Sequence, residues 1–285
     1  MSSPQPQVAI IGVGLLGCSL GLALKSRGLA ARVVGVGRRR ESLEQAMARG
    51  AVDDTFIEVE QGVRTADLII IATPAALVQA KLDEVRKFAP ATAVVTDVTS
   101  TKDEICRYAA ETWPAPRRFI GSHPMAGSEN FGPEHGRADL FENTVCLVES
   151  SADLDPDAFD TVTQLWQNVG ARVVHIEPEA HDRLLAASSH LPHVAAAALA
   201  TVAAEQGASE DVVGNGFRDT TRIAAGRPEV WRDICLTNRA ALLDCLDRLQ
   251  EDLLSFRAAL YRRDAEHLEK FFAEGREARR QVLSE

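Results

Sequence analysis

The chain has 285 residues, 46% of them hydrophobic, with a formal net charge of −10. That is enough apolar material for a full core, and the length favours two ordinary domains over one. The acidic excess, with no compensating basic stripe, argues against a nucleic-acid partner or an anionic membrane surface. Cys18, Cys106, Cys146, Cys235 and Cys245 form no close pair of the metal or redox type, which suits reduced thiols. Met1 to Gln7 carries no apolar signal core, and no stretch reads as approaching the ~20 apolar residues that span a bilayer, so a cytoplasmic protein is expected.

From Val8 to Pro178, short β-branched runs alternate with helical patterns, the sequence form of a parallel sheet covered on both faces. The predicted strands are Val8–Val13, Arg32–Val36, Leu68–Ala72, Ala93–Val98, Arg118–Ile120, Val145–Val148 and Arg172–Ile176. Between them the pattern predicts helices over Leu15–Arg27, Ser42–Arg49, Ala76–Phe88, Thr101–Thr112 and Pro156–Val169, with Gly28, Gly50 and Gly170 as stop signals. After Pro178 the strand signals end and alanine and leucine dominate a helical run. The domains are therefore expected at 1–178 and 179–285. Leu242, Leu246, Leu249, Leu253, Phe256 and Leu260 form the seam of a long helix, read as a subunit interface or an ordinary core, and Asp264 reads as the N-cap of a last helix.

Gly12, Gly14 and Gly17 follow a strand and open a helix, the arrangement that brings a backbone against a pyrophosphate and turns free helix amides towards it. Leu15, Leu16, Thr73 and Pro74 complete the expected cofactor set. At the end of the second strand, where NAD enzymes usually carry a carboxylate, stands Gly37, followed by Arg38, Arg39 and Arg40. Cations there suit a 2′-phosphate, so NADP is expected, with NAD also possible.

Asp97 to Lys102 lies at one strand end and His123 at the next, among small residues and turns, so both should open onto the crevice at the carboxyl edge of the sheet. In the helical half, His190 and His193 are three apart on one face and Arg218 and Arg222 four apart on another, which suits a carboxylate-rich ligand better than a metal.

Through these motifs the chain resembles the prephenate/arogenate (cyclohexadienyl) dehydrogenase family of tyrosine biosynthesis, from Val8 to about Leu260. The glycine fingerprint matches Gly12 to Gly17, Thr-Asp-x-x-Ser-x-Lys matches Thr96 to Lys102, and Gly-x-His-Pro-x-Ala-Gly-x-Glu matches Gly121 to Glu129. His181-Asp182, Ser189 to His193, Phe217 to Ala224 and Trp231-Arg232-Asp233 match further elements in order.

The resemblance implies an α/β fold: an N-terminal Rossmann-type doubly wound sheet followed by an all-α dimerisation domain, in the arrangement of 6-phosphogluconate dehydrogenase. It implies oxidative decarboxylation of prephenate or L-arogenate by NAD(P)+, without a metal, in a homodimer joined through the helical domain. His123 would draw off the proton of the ring hydroxyl and Ser100 would help hold that hydroxyl. Arg222 would pair with a substrate carboxylate and His193 would orient the side chain, with His190, Arg218, Ser128 and Glu129 as further lining. With only a short segment before the cofactor strand and none after the helical domain, the expectation is a monofunctional enzyme. A β-hydroxyacid dehydrogenase of the 6-phosphogluconate type is the alternative enzyme; it would need a helix lysine near a glycine cluster, and the helical half has only Lys270. A catalytically silent NADP-responsive binding protein is the alternative from another class, and it has no use for a proton acceptor such as His123.

Overall fold

A computed structural model describes residues 5–127 and 130–284. Its first half runs β1 (Gln7–Ile11), α1 (Leu15–Ser26), β2 (Arg32–Val36), α2 (Arg40–Ala48), β3 (Asp54–Phe56), α3 (Val59–Val63), β4 (Leu68–Ile71), α4 (Val78–Phe88), β5 (Val94–Asp97), α5 (Asp103–Thr112) and β6 (Phe119–Ile120). These six strands are all parallel, in the order β3-β2-β1-β4-β5-β6. Strand order reverses between β1 and β4, and a crevice forms there at the carboxyl ends of a doubly wound sheet.

Successive side chains of each central strand enter different cores, which is why the strands read as unbroken apolar runs. Val8 and Ile10 of β1 join Ile70 and Trp166 on one face, while Ala9 and Ile11 join Ile69, Ile71 and Phe119 on the other. Gly28, Gly50 and Gly170 adopt φ of +63°, +75° and +98°, the left-handed conformation in which glycine ends a helix at no steric cost.

The expectation of one parallel sheet as far as Ile176 is corrected. A second, three-stranded sheet is built from β7 (Ser122–Pro124), β8 (Val145–Glu149) and β9 (Arg172–Ile176), with α6 (Pro156–Asn168) between the last two; β7 runs antiparallel to β8. The sequence hid β7 and β3 because each is three residues long and neither carries a β-branched run. Buried Arg117, just before β6, donates to Glu149 of β8 at 2.6 Å and to Asp153 at 2.8 Å. That pair ties the β6 end to the second sheet, next to the turn that delivers His123.

Beyond β9 the chain is helical: α7 (Pro178–Leu185), a π turn at Ala186–His190, α8 (Leu191–Glu205), α9 (Asn215–Thr221), a 3-10 turn at Arg222–Ala225, and α10 (Pro228–Thr237). The two paired motifs fare differently. His190 ends the π turn and His193 follows in α8, both rings lying against Trp231, whereas Arg222 opens the 3-10 turn after α9 has ended at Thr221. One reading of hydropathy is also corrected: Pro178–Glu205 is a 28-residue helical run containing an 18-residue window of mean hydropathy 1.2, long and apolar enough by those two measures to span a bilayer. Its buried side chains include His181, Asp182 and His190, polar groups committed to a hydrogen-bonded network described below.

By packing, Met1–Asn238 forms one compact unit and Arg239–Glu285 another. The second is a hairpin of α11 (Arg239–Arg262) and α12 (Ala265–Leu283), the latter capped by the Asp264 carboxylate accepting from His267 N at 3.1 Å. Phe256 of the predicted seam packs on Phe271 and Phe272 of α12, whereas Leu253 and Leu260 remain more than half exposed.

Candidate active site

The loop after β1 is shaped by close approaches that only glycine allows. A Cβ on Gly12, whose φ is +101°, would lie 2.4 Å from Ala72 O, and one on Gly17 would lie 2.0 Å from Gly12 O. A Cβ on Gly14 would meet nothing within 4 Å, so the backbone is bare where a ligand can approach it. A cavity of about 420 Å³ opens there, lined by Gly14, Leu15 and Leu16, by Thr73 and Pro74 after β4, and by Ser100 after β5. The Thr73 hydroxyl is buried with no hydrogen-bond partner among the described residues, a polar atom that a dinucleotide in this cavity would satisfy. Of the expected cofactor residues, Gly12 and Gly17 thus shape the wall rather than form it.

Arg39 and Ser42 line the same cavity, while Arg38 is exposed and does not. Gly37 stands at the end of β2, and a Cβ there would make only an ordinary contact with Leu43 at 3.5 Å. Ser42, Arg227 and Asp233 also line the cavity and were missed in the sequence. Serine and arginine at a helix start carry no signal of their own, although Asp233 belongs to a motif already noted.

The neighbouring polar cluster is organised by Asp97, the last residue of β5 and fully buried. Its carboxylate accepts from Ser122 N at 3.0 Å, from Thr99 N at 2.9 Å, from the Thr99 hydroxyl, and from Lys102 Nζ at 2.5 Å. Lys102 Nζ, equally buried, donates in addition to Thr101 O at 2.8 Å. One side chain therefore fixes both the loop bearing Ser100 and the strand bearing His123. Each charge has its partners, which a buried ion requires.

His123 is 7% exposed, and its Nδ1 lies 3.0 Å from Nε2 of His181. His181 Nδ1 in turn lies 2.8 Å from the Asp182 carboxylate, which also accepts from Lys102 N at 2.7 Å and Asp103 N at 3.0 Å. Burial, followed by nearby His181, Lys102 and His190, holds the His123 pKa well below the usual histidine range. The ring is neutral at physiological pH and can accept a proton.

His190, from the π turn, accepts at Nδ1 from Asn238 Nδ2 at 3.0 Å, and burial lowers its pKa to about 4. His193 Nδ1 donates to Ser189 O at 2.9 Å, leaving Nε2 as an acceptor, and its ring stacks on Trp231 with centroids 3.5 Å apart. Its pKa is also lowered by burial, opposed by the Ser189 carbonyl and reinforced by the Arg222 charge. Arg222 and Arg218 are both exposed, and Arg218 lies 3.5 Å from Glu210. Ser128 and Glu129 lie outside the described residues.

Comparison with known proteins matches both parts of the chain to one family. Residues 20–175 match the family model described as prephenate dehydrogenase, nucleotide-binding domain, and residues 177–274 match prephenate dehydrogenase, dimerization domain. A Bacillus subtilis prephenate dehydrogenase is 32% identical over 287 residues, covering 98% of this chain and 76% of the relative. The crystal structure of Aquifex aeolicus prephenate dehydrogenase with hydroxyphenyl propionate and NAD+ superposes with a TM-score of 0.87 at 27% identity, covering 99% of both chains. A Synechocystis arogenate dehydrogenase structure gives 0.82 at 28% identity, covering 97% of this chain and 99% of that one. With models matching both parts of the chain and a relative aligned along 98% of it, the chain belongs to the prephenate dehydrogenase family.

Proposed function

We propose that the chain catalyses NAD(P)+-dependent oxidative decarboxylation of prephenate, L-arogenate or both, giving 4-hydroxyphenylpyruvate or L-tyrosine and carbon dioxide. The carrying observation is that Asp97 binds together a cavity suited to a dinucleotide, through the loop bearing Ser100, and a neutral, buried His123. A β-hydroxyacid dehydrogenase and a silent binding protein are not favoured by the comparisons.

The bound dinucleotide supplies the hydride acceptor. Gly14 and the start of α1 would receive its phosphates, with the Thr73 hydroxyl as a further partner. Arg39 and Ser42 line the cavity near the end of β2, where they would meet the adenosine ribose, and with Gly37 in place of a carboxylate they support a preference for NADP+. His123 takes the proton of the ring 4-hydroxyl as its carbon becomes a carbonyl, Ser100 holds that oxygen, and loss of the ring carboxylate then restores aromaticity. Arg222 pairs with a substrate carboxylate and His193 orients the substrate side chain, with His190, Arg218, Ser128 and Glu129 lining the rest. Residues 1–178 serve as the dinucleotide-binding domain and 179–285 as the helical substrate domain, through which two copies form a homodimer, as the name of the second family model supports. Five free cysteines support a cytoplasmic setting.

The test is direct: each substrate is incubated with NADP+ and with NAD+, and absorbance of the reduced nicotinamide is followed. Turnover is expected with at least one substrate and a higher kcat/KM with NADP+; no turnover in any of the four combinations rejects the assignment.

A further inference from the structure

The buried row Asp182–His181–His123 has a role that neither the fold nor the cofactor cavity requires. Asp182 and His181 are adjacent at the middle of α7, yet both side chains turn inward: His181 is wholly buried and Asp182 is 4% exposed. Two buried imidazoles end to end are costly to desolvate, and an apolar pair would pack the same space at less cost.

The order of donors along the row follows from chemistry alone. A carboxylate can only accept, so the His181 nitrogen 2.8 Å from Asp182 must carry a hydrogen; that nitrogen is Nδ1. Burial first, and the Lys102 charge next among the causes acting in the same sense, lower the His181 pKa against the pull of Asp182, so this ring is neutral and its Nε2 carries only a lone pair. Nε2 of His181 is 3.0 Å from Nδ1 of His123, and the contact is a hydrogen bond only if His123 donates from Nδ1. A neutral His123 with its hydrogen on Nδ1 has its lone pair on Nε2.

We propose that Asp182 and His181 are positioning residues that lock His123 in the Nδ1–H tautomer, leaving Nε2 as the one atom able to take the substrate proton. The Asp182 carboxylate is itself held by Lys102 N and Asp103 N at the start of α5, so the direction of the row is set by backbone that cannot rotate away. When Nε2 of His123 receives a proton, the Nδ1–H bond to His181 strengthens and the Asp182 charge lies behind it, two rings from the reacting oxygen. The logic is that of any acid–imidazole orienting pair, extended by one ring.

This inference rests on the proposed role of His123, and its test separates the two. Long-range nitrogen–proton NMR on the histidine-labelled wild-type protein near pH 7.5 should show His123 and His181 both protonated at Nδ1 and bare at Nε2; a His123 protonated at Nε2 overturns the proposal. His181→Leu should lower kcat by about 10- to 100-fold with little change in either KM, and His181→Gln, which keeps an acceptor where Nε2 lay, should recover most of that loss. An unchanged kcat in His181→Leu, or an equal loss in both variants, contradicts it. If His181→Leu fails to fold, the wild-type spectrum still decides. Absence of turnover by the wild-type protein would strike the proposed function, while the tautomer measurement would stand on its own.

Discussion

At Gly37, an absence of contact decides the outcome of a substitution. Its backbone is not in the left-handed region and an added Cβ would meet Leu43 only at an ordinary distance, so Gly37→Asp should fold normally. A carboxylate there accepts hydrogen bonds from ribose hydroxyls and repels a 2′-phosphate. The ratio of kcat/KM for NADP+ over that for NAD+ should fall by about tenfold or more, equivalent to about 1.4 kcal/mol; an unchanged ratio removes Gly37 from cofactor choice. Gly12 and Gly17 differ in kind, because a side chain at either would collide with backbone. The glycine spacing showed both roles in the sequence, but which arginine of the triplet faces the cavity depends on where α2 starts, a boundary that pattern does not fix.

At the scale of elements, the long and strongly patterned segments were legible. β2 and β9 have the bounds expected, and the last helix begins at the cap read from Asp264. What failed was short or irregular: β7 has three residues, and the 3-10 turn that begins at Arg222 ends the regular helix on which the i, i+4 spacing placed Arg218 and Arg222. His181-Asp182 was legible as a motif, but its role was not, since adjacent helix residues reveal nothing of a third side chain 58 positions away. The Arg117–Glu149 pair is similarly long-range. Burial would raise the Glu149 pKa, but hydrogen bonds from Arg117 hold it below the usual carboxylate range. Arg117→Met should leave Glu149 charged and unpaired, costing about 3–5 kcal/mol. Chemical denaturation would measure it, and a cost below about 1 kcal/mol would show that the pair contributes little beyond packing.

For the whole molecule, His123, His181, His190 and His193 all have lowered pKa values, with burial the leading cause in each. Unfolded histidines bind protons near pH ~6.5, whereas these rings do so only at lower pH, to about 4 for His190. Between those limits the unfolded chain binds more protons, so the contribution of these rings to stability is full above ~6.5 and falls on acidification, by up to about 1.4 kcal/mol per pH unit for each of His123, His181 and His190 and by less for the part-exposed, solvent-screened His193. Denaturant midpoints at pH 7.5, 6 and 5 should therefore descend; a flat series contradicts the buried neutral cluster. The exposed Leu253 and Leu260 of α11 and Phe272 of α12 argue for a partner surface. Light scattering should return twice the chain mass of 30.8 kDa, and a monomer would refute the homodimer alone.

The central claim is that neutral His123 accepts the proton released as the substrate hydroxyl is oxidised. Steady-state kinetics of His123→Asn test it most directly, because asparagine retains polarity at the position but takes no proton. The account predicts a kcat lower by about 10²- to 10⁴-fold with little change in KM for substrate or cofactor. A variant that folds and turns over at nearly the wild-type kcat would contradict it.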